Sequence, residues 1–396
     1  MKFIIIGIDD NRRQHFIPEV QAAIATGKIF SGGKRHHEIV RDILPQNATW
    51  IDITIPLNAV FEAYKNFEEI IIFASGDPLF YGFANTVQKQ LPEAELKIYP
   101  TFNSLQMLAH KLLMPYHDMH IVSLTGRNWD QFDEAMISGY EKIGVLTDNK
   151  EHTPAGIAQR MLDYGYDNYK MIVGVLLGNI HKEEISEVNL PDATSKNFAY
   201  PNNLILLKTK SRPRPFGIPE KEFHLLDGRA RMITKMPVRL ISLSMLELRD
   251  KKVLWDIGAC TGSVSVEARL QFPHLKIIAF EKREEGQILL KLNAQKFGTP
   301  GIDIITGDFT TIDHSQYPRP DAVFIGGHGG KLPEIISMVK DVLTENGTIV
   351  FNSVSDESRR LFAESLSSNG LQLYKSIFIK VDAHNTIEIM QTYKRK

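Results

Sequence analysis

Apolar runs and helical periodicities alternate along almost the whole chain. The runs at 3–8, 69–74 and 96–99 have the length of buried strands, and 16–24, 79–90 and 104–113 repeat apolar residues at helical spacing. A second set follows "LLMPYHD". It predicts strands at 119–124, 143–146, 171–176 and 204–208, and a helix opened by Thr153 and Pro154. Thr suits the N-cap because its hydroxyl accepts a free helix N–H, and Pro at the first helical position needs no donor. The half spanning 1–209 is therefore expected to form two small α/β lobes, split near 114–118, with a cleft between them.

The pattern breaks at 210–219, "KSRPRPFGIP". Three prolines remove backbone donors and cannot continue a helix or a central strand, so the stretch reads as a semi-rigid linker. A long surface loop is the alternative. The linker is preferred because each side carries its own complete α/β pattern. Beyond it, strands at 253–257, 275–280, 302–305, 322–325 and 348–352 alternate with helices at 262–271, 284–297 and 332–343. Such alternation implies a parallel sheet covered on both faces, a Rossmann-like domain over 220–396. The runs 371–381 and 386–393 are separated only by "DAHN", which suits a hairpin, so the sheet is expected to end in an antiparallel pair.

Composition narrows the function. The 396 residues carry a formal net charge of -1, so no basic excess points to nucleic acid or an anionic membrane. The N-terminal "MKFIIIGIDD" is too short in its apolar part for a signal segment, and no run approaches the roughly 20 residues of a membrane span. A cytoplasmic protein is expected. The single cysteine, Cys260, excludes an intrachain disulfide and a cysteine-built zinc site, and no metal is expected.

Candidate chemistry concentrates in "VLWDIGACTGSVSVEA", a strand, a glycine loop and a helix. This is where a doubly wound sheet receives a ligand at a helix N-terminus. Gly258 and Gly262 allow a sharp turn and close backbone approach, and Asp256 supplies an acceptor near the mouth. Glu281 ends the next strand, where a carboxylate pairs with ribose hydroxyls. The loop lacks the middle glycine of a dinucleotide site. Its pattern suits S-adenosylmethionine, with Asp308 of "ITGDF" near the adenine; a nicotinamide site and a purely structural glycine turn are the alternatives. Further on, "DAVFIGGHGG" surrounds His328 with glycines, including Gly327. His328 could bind an acidic substrate or move a proton, or be a solvated loop histidine.

The segments "EFHLLDGRARMITKMPVR", "VLWDIGACTGSVSVEA", "IIAFEK", "GDF" and "DAVFIGGHGG" together resemble the C-15 methylating, decarboxylating enzymes of corrin synthesis, which act on precorrin-6B. The match covers nearly all of 218–396. It implies cofactor contacts from Thr234, from the loop Gly258, Ala259, Cys260, Thr261 and Gly262, and from Glu281, Asp308 and Phe309. The family usually has Ser where His328 stands and often Gly where Cys260 stands. Cys260 then reads as a small side chain tolerated in a tight loop.

The N-terminal half resembles the C-5 methyltransferases of the tetrapyrrole methylase class. "IIFASGDPLFYGFANTV" carries the Gly-Asp-Pro signature, and "SGGKRHHE", "YPTFNSLQMLA", "SLTGRNWD" and "TDNKEHTPAGIAQRML" match further segments. This implies cofactor contacts from Gly76, Asp77, Leu79 and Ser104. The family's first glycine-rich loop departs here to "GIDDNRR", which keeps only Gly7. Both halves in this order resemble the fused, decarboxylating precorrin C-5,15-methyltransferases. The implied architecture is a class III tetrapyrrole methylase fold followed by a class I methyltransferase domain. The implied reaction moves two methyls from two S-adenosylmethionine sites to C-5 and C-15 of precorrin-6B and removes the C-12 acetate carboxyl, giving precorrin-8. The substrate, a precorrin or cobalt-precorrin, is a polyacid. Lys34, Arg35, Arg127, Arg229, Arg231 and Lys235 are candidates to bind it, with Gly327 and His328, and His328 and Asp308 are the candidate catalytic groups. A homo-oligomer, a tetramer through the C-terminal domain, is expected from the same resemblance. An RNA-acting methyltransferase fusion, a nicotinamide dehydrogenase and a scaffold with dead sites are the competing readings.

Overall fold

The structure, a computed structural model, describes residues 1–381 and 386–394. Its backbone contacts divide the chain into two units. The first comprises Met1–Arg127, Glu141–Gln159 and Tyr169–Thr209; the second comprises Asn128–Tyr140, Arg160–Asn168 and Lys210–Lys396.

The first unit holds two five-stranded sheets. Strands β1 (Lys2–Ile8), β2 (Ile29–Gly32), β3 (Thr49–Asp52), β4 (Glu69–Ser75) and β5 (Glu95–Tyr99) form a parallel sheet in the order β3-β2-β4-β1-β5. β1 and β4 sit at its centre, paired from Lys2↔Glu69 to Ile8↔Ser75. Both strands are apolar on both faces because both faces are covered. Phe3, Ile5, Ile70 and Ile72 pack on one side, and Ile4, Ile6, Ile71 and Phe73 on the other. The second sheet is mixed. β6 (His120–Ser123), β7 (Lys142–Leu146), β8 (Tyr169–Val175), β9 (Glu184–Val188) and β10 (Asn202–Lys208) run in the order β6-β7-β10-β8-β9, and only β6 and β7 are parallel.

The second unit holds one seven-stranded sheet. Its strands are β11 (Val253–Ile257), β12 (Lys276–Glu281), β13 (Ile302–Thr306), β14 (Ala322–Ile325), β15 (Thr348–Ser353), β16 (Leu373–Ile379) and β17 (Ile387–Tyr393). Their order is β13-β12-β11-β14-β15-β17-β16. The first five are parallel, while β17 is antiparallel to β15 and to β16, as the terminal pattern predicts. The turn expected from "DAHN" lies outside the described residues. Strand order reverses between β11 and β14, which places a crevice at their carboxyl ends. Trp255, Ile257, Ile278 and Phe280 fill one face, and Leu254, Ile277 and Phe324 the other.

The periodicity missed several elements. β2 and β3 are four residues each, too short for alternation to show. The helix Met236–Leu246 is apolar around much of its circumference because six of its residues are buried, so no polar stripe marks it. The helix expected from residue 79 begins only at Phe83, with Gly82 as its extended N-cap, because residues before it form the turn after Asp77.

The proline-rich stretch is not a free spacer. The Arg212 guanidinium stacks 4.5 Å from the Tyr166 ring and donates to the carbonyls of Phe297 and Tyr164, and Arg214 donates to Leu270 and Gln271. Within the same unit the buried Asp133 receives a bidentate bond from Arg160 at 2.7 and 2.6 Å. Arg269, also buried, donates to the carbonyls of Pro300, Pro273 and Leu275. Three carbonyls thus take up Nε and Nη1 of the buried Arg269 guanidinium, which is how such a charge is tolerated. Among the described residues no helix is long and apolar enough to cross a membrane.

Candidate functional site

A cavity of about 550 Å³ opens at the carboxyl ends of β11, β12 and β14. Arg231, Thr234, Asp256, Gly258, Ala259, Cys260, Thr261, Glu281, Asp308, Phe309, Gly327 and His328, singled out one by one from the sequence, all line it. Gly262 does not. It begins the helix Ser263–Gln271 with φ +69°, and a Cβ on it would stand 2.4 Å from Leu290 Cγ. Gly258 has φ +73°, and its α-carbon approaches Gly327 so closely that a Cβ would lie 2.4 Å from the Gly327 oxygen. The two glycine-rich loops therefore meet backbone to backbone.

Asp256 is buried at the floor, not at the mouth as the sequence suggests, because it sits within β11 beneath the loop. Its Oδ2 accepts from the amide and hydroxyl of Ser265 at 3.2 and 2.6 Å, while Oδ1 has no partner. Burial pushes its pKa up to about 6. The nearby Thr261 hydroxyl is also buried without a partner. Two orphaned polar groups in one pocket wall call for a polar ligand, since leaving each unpaired is costly. A cofactor with amine and hydroxyl groups meets that need, so the donor set fits S-adenosylmethionine. Glu281 has a structural duty: Oε2 accepts the Cys260 amide at 2.7 Å and Oε1 the Arg283 amide at 2.9 Å.

Because the folded-state pKa of Asp256 exceeds its ordinary 3.8, the native state holds its proton more tightly than the unfolded chain. The stabilisation from that proton is full at low pH and is lost as pH rises from about 4 to about 6. Asp256→Asn removes this decline. Urea unfolding at pH 4.5 and 7.5 should show wild type losing ground to the variant at the higher pH. Equal differences at both pH values would contradict the assignment.

Cys260 takes φ +49° and is buried. Burial, and then Glu281, raise its thiol pKa, which disfavours the thiolate a nucleophile requires. Cys260→Gly relieves the left-handed backbone, so S-adenosylhomocysteine affinity should stay within about twofold and stability within about 1 kcal/mol of wild type. Calorimetric titration and thermal unfolding measure both; a tenfold loss of affinity would restore a role for the sulfur.

Asp308 accepts from Lys331 Nζ at 2.8 Å, Lys282 Nζ at 3.0 Å and the Thr310 hydroxyl at 2.8 Å. These bonds hold its carboxyl well below the usual carboxylate range, so it is a weak base. His328 is half-buried, and burial lowers its pKa, so it is neutral at pH 7. Its Nδ1 accepts the Gly330 amide at 3.2 Å, which leaves Nε2–H as a donor. The lysine pair on Asp308 was not legible in the sequence, since Lys282 and Lys331 lie 26 and 23 residues from it in opposite directions.

A second cavity, about 410 Å³, lies between the two sheets of the first unit. Arg35, Gly76 and Ser104 line it; Asp77 and Leu79 lie outside the lining, where the Asp77 carboxylate accepts the Leu79 amide at 2.9 Å. Arg127 stands beside the wall, bonded to Ser123 and Thr125 and 5.1 Å from the Tyr81 ring. Lys34 and Arg229 are exposed and line neither cavity; Lys235 lines the first. Sequence reasoning missed Asp10, His36 and Asn203 in this wall. Both side-chain polar atoms of the buried Asn203 lack partners, so this cavity too has an orphaned polar group in its wall.

Residues 226–395 match the model of the precorrin methyltransferase domain. A cobalt-precorrin-6B C(15)-methyltransferase (decarboxylating) of Salmonella typhimurium is 38% identical over 138 residues, 35% of this chain and 70% of that protein. The chain belongs to the precorrin methyltransferase family. A precorrin-6Y C(5,15)-methyltransferase (decarboxylating) of Sinorhizobium sp. is 26% identical over 360 residues, 89% of this chain and 84% of the relative, so the likeness runs through both units. The crystal structure of a precorrin-6Y C5,15-methyltransferase from Geobacter metallireducens is 32% identical, covers 46% of this chain and all of that one, and gives a TM-score of 0.43.

Proposed function

We propose that the chain is a bifunctional S-adenosylmethionine-dependent C-methyltransferase of cobalamin synthesis. It methylates precorrin-6B at C-5 and C-15 and decarboxylates the C-12 acetate, giving precorrin-8. The observation that carries the reading is the 89% span of the likeness to a fused relative, together with a cavity in each unit lined by residues of the matching motifs. The C-15 methylation and decarboxylation belong to the second unit and the C-5 methylation to the first, whose two-lobed form we read as a tetrapyrrole methylase fold.

S-adenosylmethionine supplies an activated methyl group, so the protein's task is alignment and exclusion of water. In the second unit, Asp256, Thr261 and the loop from Gly258 would hold it, with Glu281 bracing that loop and Asp308, Phe309 and Thr234 closing the wall. Arg231 and Lys235 bring positive charge to the cavity suited to a polyacid, while Lys282 and Lys331 are paired with Asp308 and Arg283 with Glu281. With Nδ1 occupied, His328 acts as a donor to a substrate carboxylate. That geometry favours binding over proton abstraction, and Asp308 is too weakly basic for the latter. In the first unit, Gly76, Ser104 and Asn203, which line its cavity, would hold a second cofactor. Exposed Leu373, Tyr374 and Phe378 on the edge strand β16 support the homo-oligomer reading, which sedimentation would test.

Purified protein incubated with precorrin-6B and methyl-labelled S-adenosylmethionine tests the whole reading. Product mass should show two added methyls and loss of one carbon dioxide. Absence of any labelled macrocycle would refute it.

A further inference from the structure

Ser75 closes β4 at the edge of the first unit's cavity, and its surroundings fix the direction of its hydroxyl proton. The Ser75 Oγ lies 3.0 Å from Arg35 Nη2 and 2.9 Å from His36 Nε2. Arg35 is a pure donor. His36 could accept only through an unprotonated Nε2. Its Nδ1, however, accepts the Gly33 amide at 3.3 Å, so the neutral ring carries its proton on Nε2. The ring is neutral because packing, and then the Arg35 charge, push its pKa down to about 4. Neither neighbour can take the Ser75 proton.

The other members of the cluster hold this arrangement still. Buried Asp10 accepts Arg35 Nη1 on Oδ1 at 2.8 Å and Asn179 Nδ2 on Oδ2 at 3.0 Å. Both carboxylate oxygens are thus occupied, and Arg35 is locked to Asp10 and Ser75. Arg35 therefore positions Ser75 and is not a free cation awaiting substrate, as the sequence suggested. A hydroxyl oxygen that accepts from a guanidinium is polarised, which strengthens its own O–H as a donor.

We propose that the Ser75 hydroxyl is a fixed hydrogen-bond donor that reads a ligand carboxylate in the first unit's cavity, with Arg35, His36 and Asp10 as its positioning residues. This inference rests on the methyltransferase reading, which offers two sources of that group: a peripheral carboxylate of the macrocycle and the amino-acid end of the cofactor.

The test compares full-length wild type with Ser75→Ala and Ser75→Thr, with C-15 methylation as the internal sign that each variant is folded. C-5 methylation gives KM and kcat, and calorimetry gives S-adenosylhomocysteine affinity. Loss of one hydrogen bond to a charged group should weaken binding at least about tenfold in Ser75→Ala, and the hydroxyl of Ser75→Thr should restore most of it. A rise in macrocycle KM with unchanged S-adenosylhomocysteine affinity assigns the carboxylate to the substrate. An equal loss of S-adenosylhomocysteine affinity assigns it to the cofactor. If Ser75→Ala stays within twofold of wild type in both, or if Ser75→Thr is as impaired as Ser75→Ala, the inference fails while the functional reading stands. If wild type transfers no methyl to C-5, the reading itself fails and takes the inference with it.

Discussion

Gly258→Val should lower C-15 methylation and decarboxylation at least about 100-fold while C-5 methylation continues. Two effects combine at this position. The φ of +73° is strained for a β-branched residue, and a Cβ would stand 2.4, 2.6 and 2.7 Å from the oxygen, nitrogen and α-carbon of Gly327. Those atoms are backbone, so the clash cannot be relieved by a rotamer change. The loops carrying Gly258 and Gly327 must separate, which displaces Ala259, Cys260 and Thr261 from their places in the wall. A misplacement of about 1 Å at a site that works by alignment costs on the order of 100-fold in rate. Product mass is the measurement: one added methyl with the carboxyl retained is expected. A variant within threefold of wild type at C-15 would show that the close approach of the two loops is dispensable.

Glu267→Ala should be the most destabilising single change in the second unit, by about 3–5 kcal/mol. Glu267 and Arg239 have no exposed side-chain surface and pair at 3.0 Å. The carboxylate also accepts the amides of Gly217 and Ile218 at 2.7 and 3.1 Å, and Arg239 donates to the carbonyls of Thr234 and Ile218. Removing the acid leaves a buried cation without its counter-charge and two amides without partners. Thr234 lines the cavity at the strand ends, so S-adenosylhomocysteine affinity should fall with stability. Removing both charges, as in Glu267→Leu with Arg239→Met, should cost less than Glu267→Ala alone. Urea unfolding of the three proteins decides it. A loss below about 1 kcal/mol in Glu267→Ala would mean that the pair is not a keystone of the linker anchor.

How far these features could be read in advance depended on their range along the chain. The seven strands of the C-terminal sheet, apart from shifts at their ends, and the cavity wall from Asp256 to Thr261 were legible. Periodicity and loop chemistry are local, and a parallel sheet gathers the carboxyl ends of its strands on one side. The four-residue strands β2 and β3 were not, since they hold too few positions for a period. The linker was legible as an irregular stretch, but not as a pinned one. Arg212 and Arg214 find carbonyls 85 and 56 residues away, and proline content says nothing of such partners.

The site divides the same way. The sequence by itself determined which residue types stand at the strand ends: glycines where backbones must approach, carboxylates at 256 and 281, and histidine at 328. Only the tertiary structure decided their states. Asp256 became a buried group with a raised pKa because the sheet closes over it. Asp308 became a clamped anion because two distant lysines converge on it. Arg35 became a positioning residue because Asp10 and Ser75 reach it first. Residue chemistry is written locally, but protonation and hydrogen-bond direction depend on solvent access and on neighbours far away in the chain, and those exist only once the chain has folded.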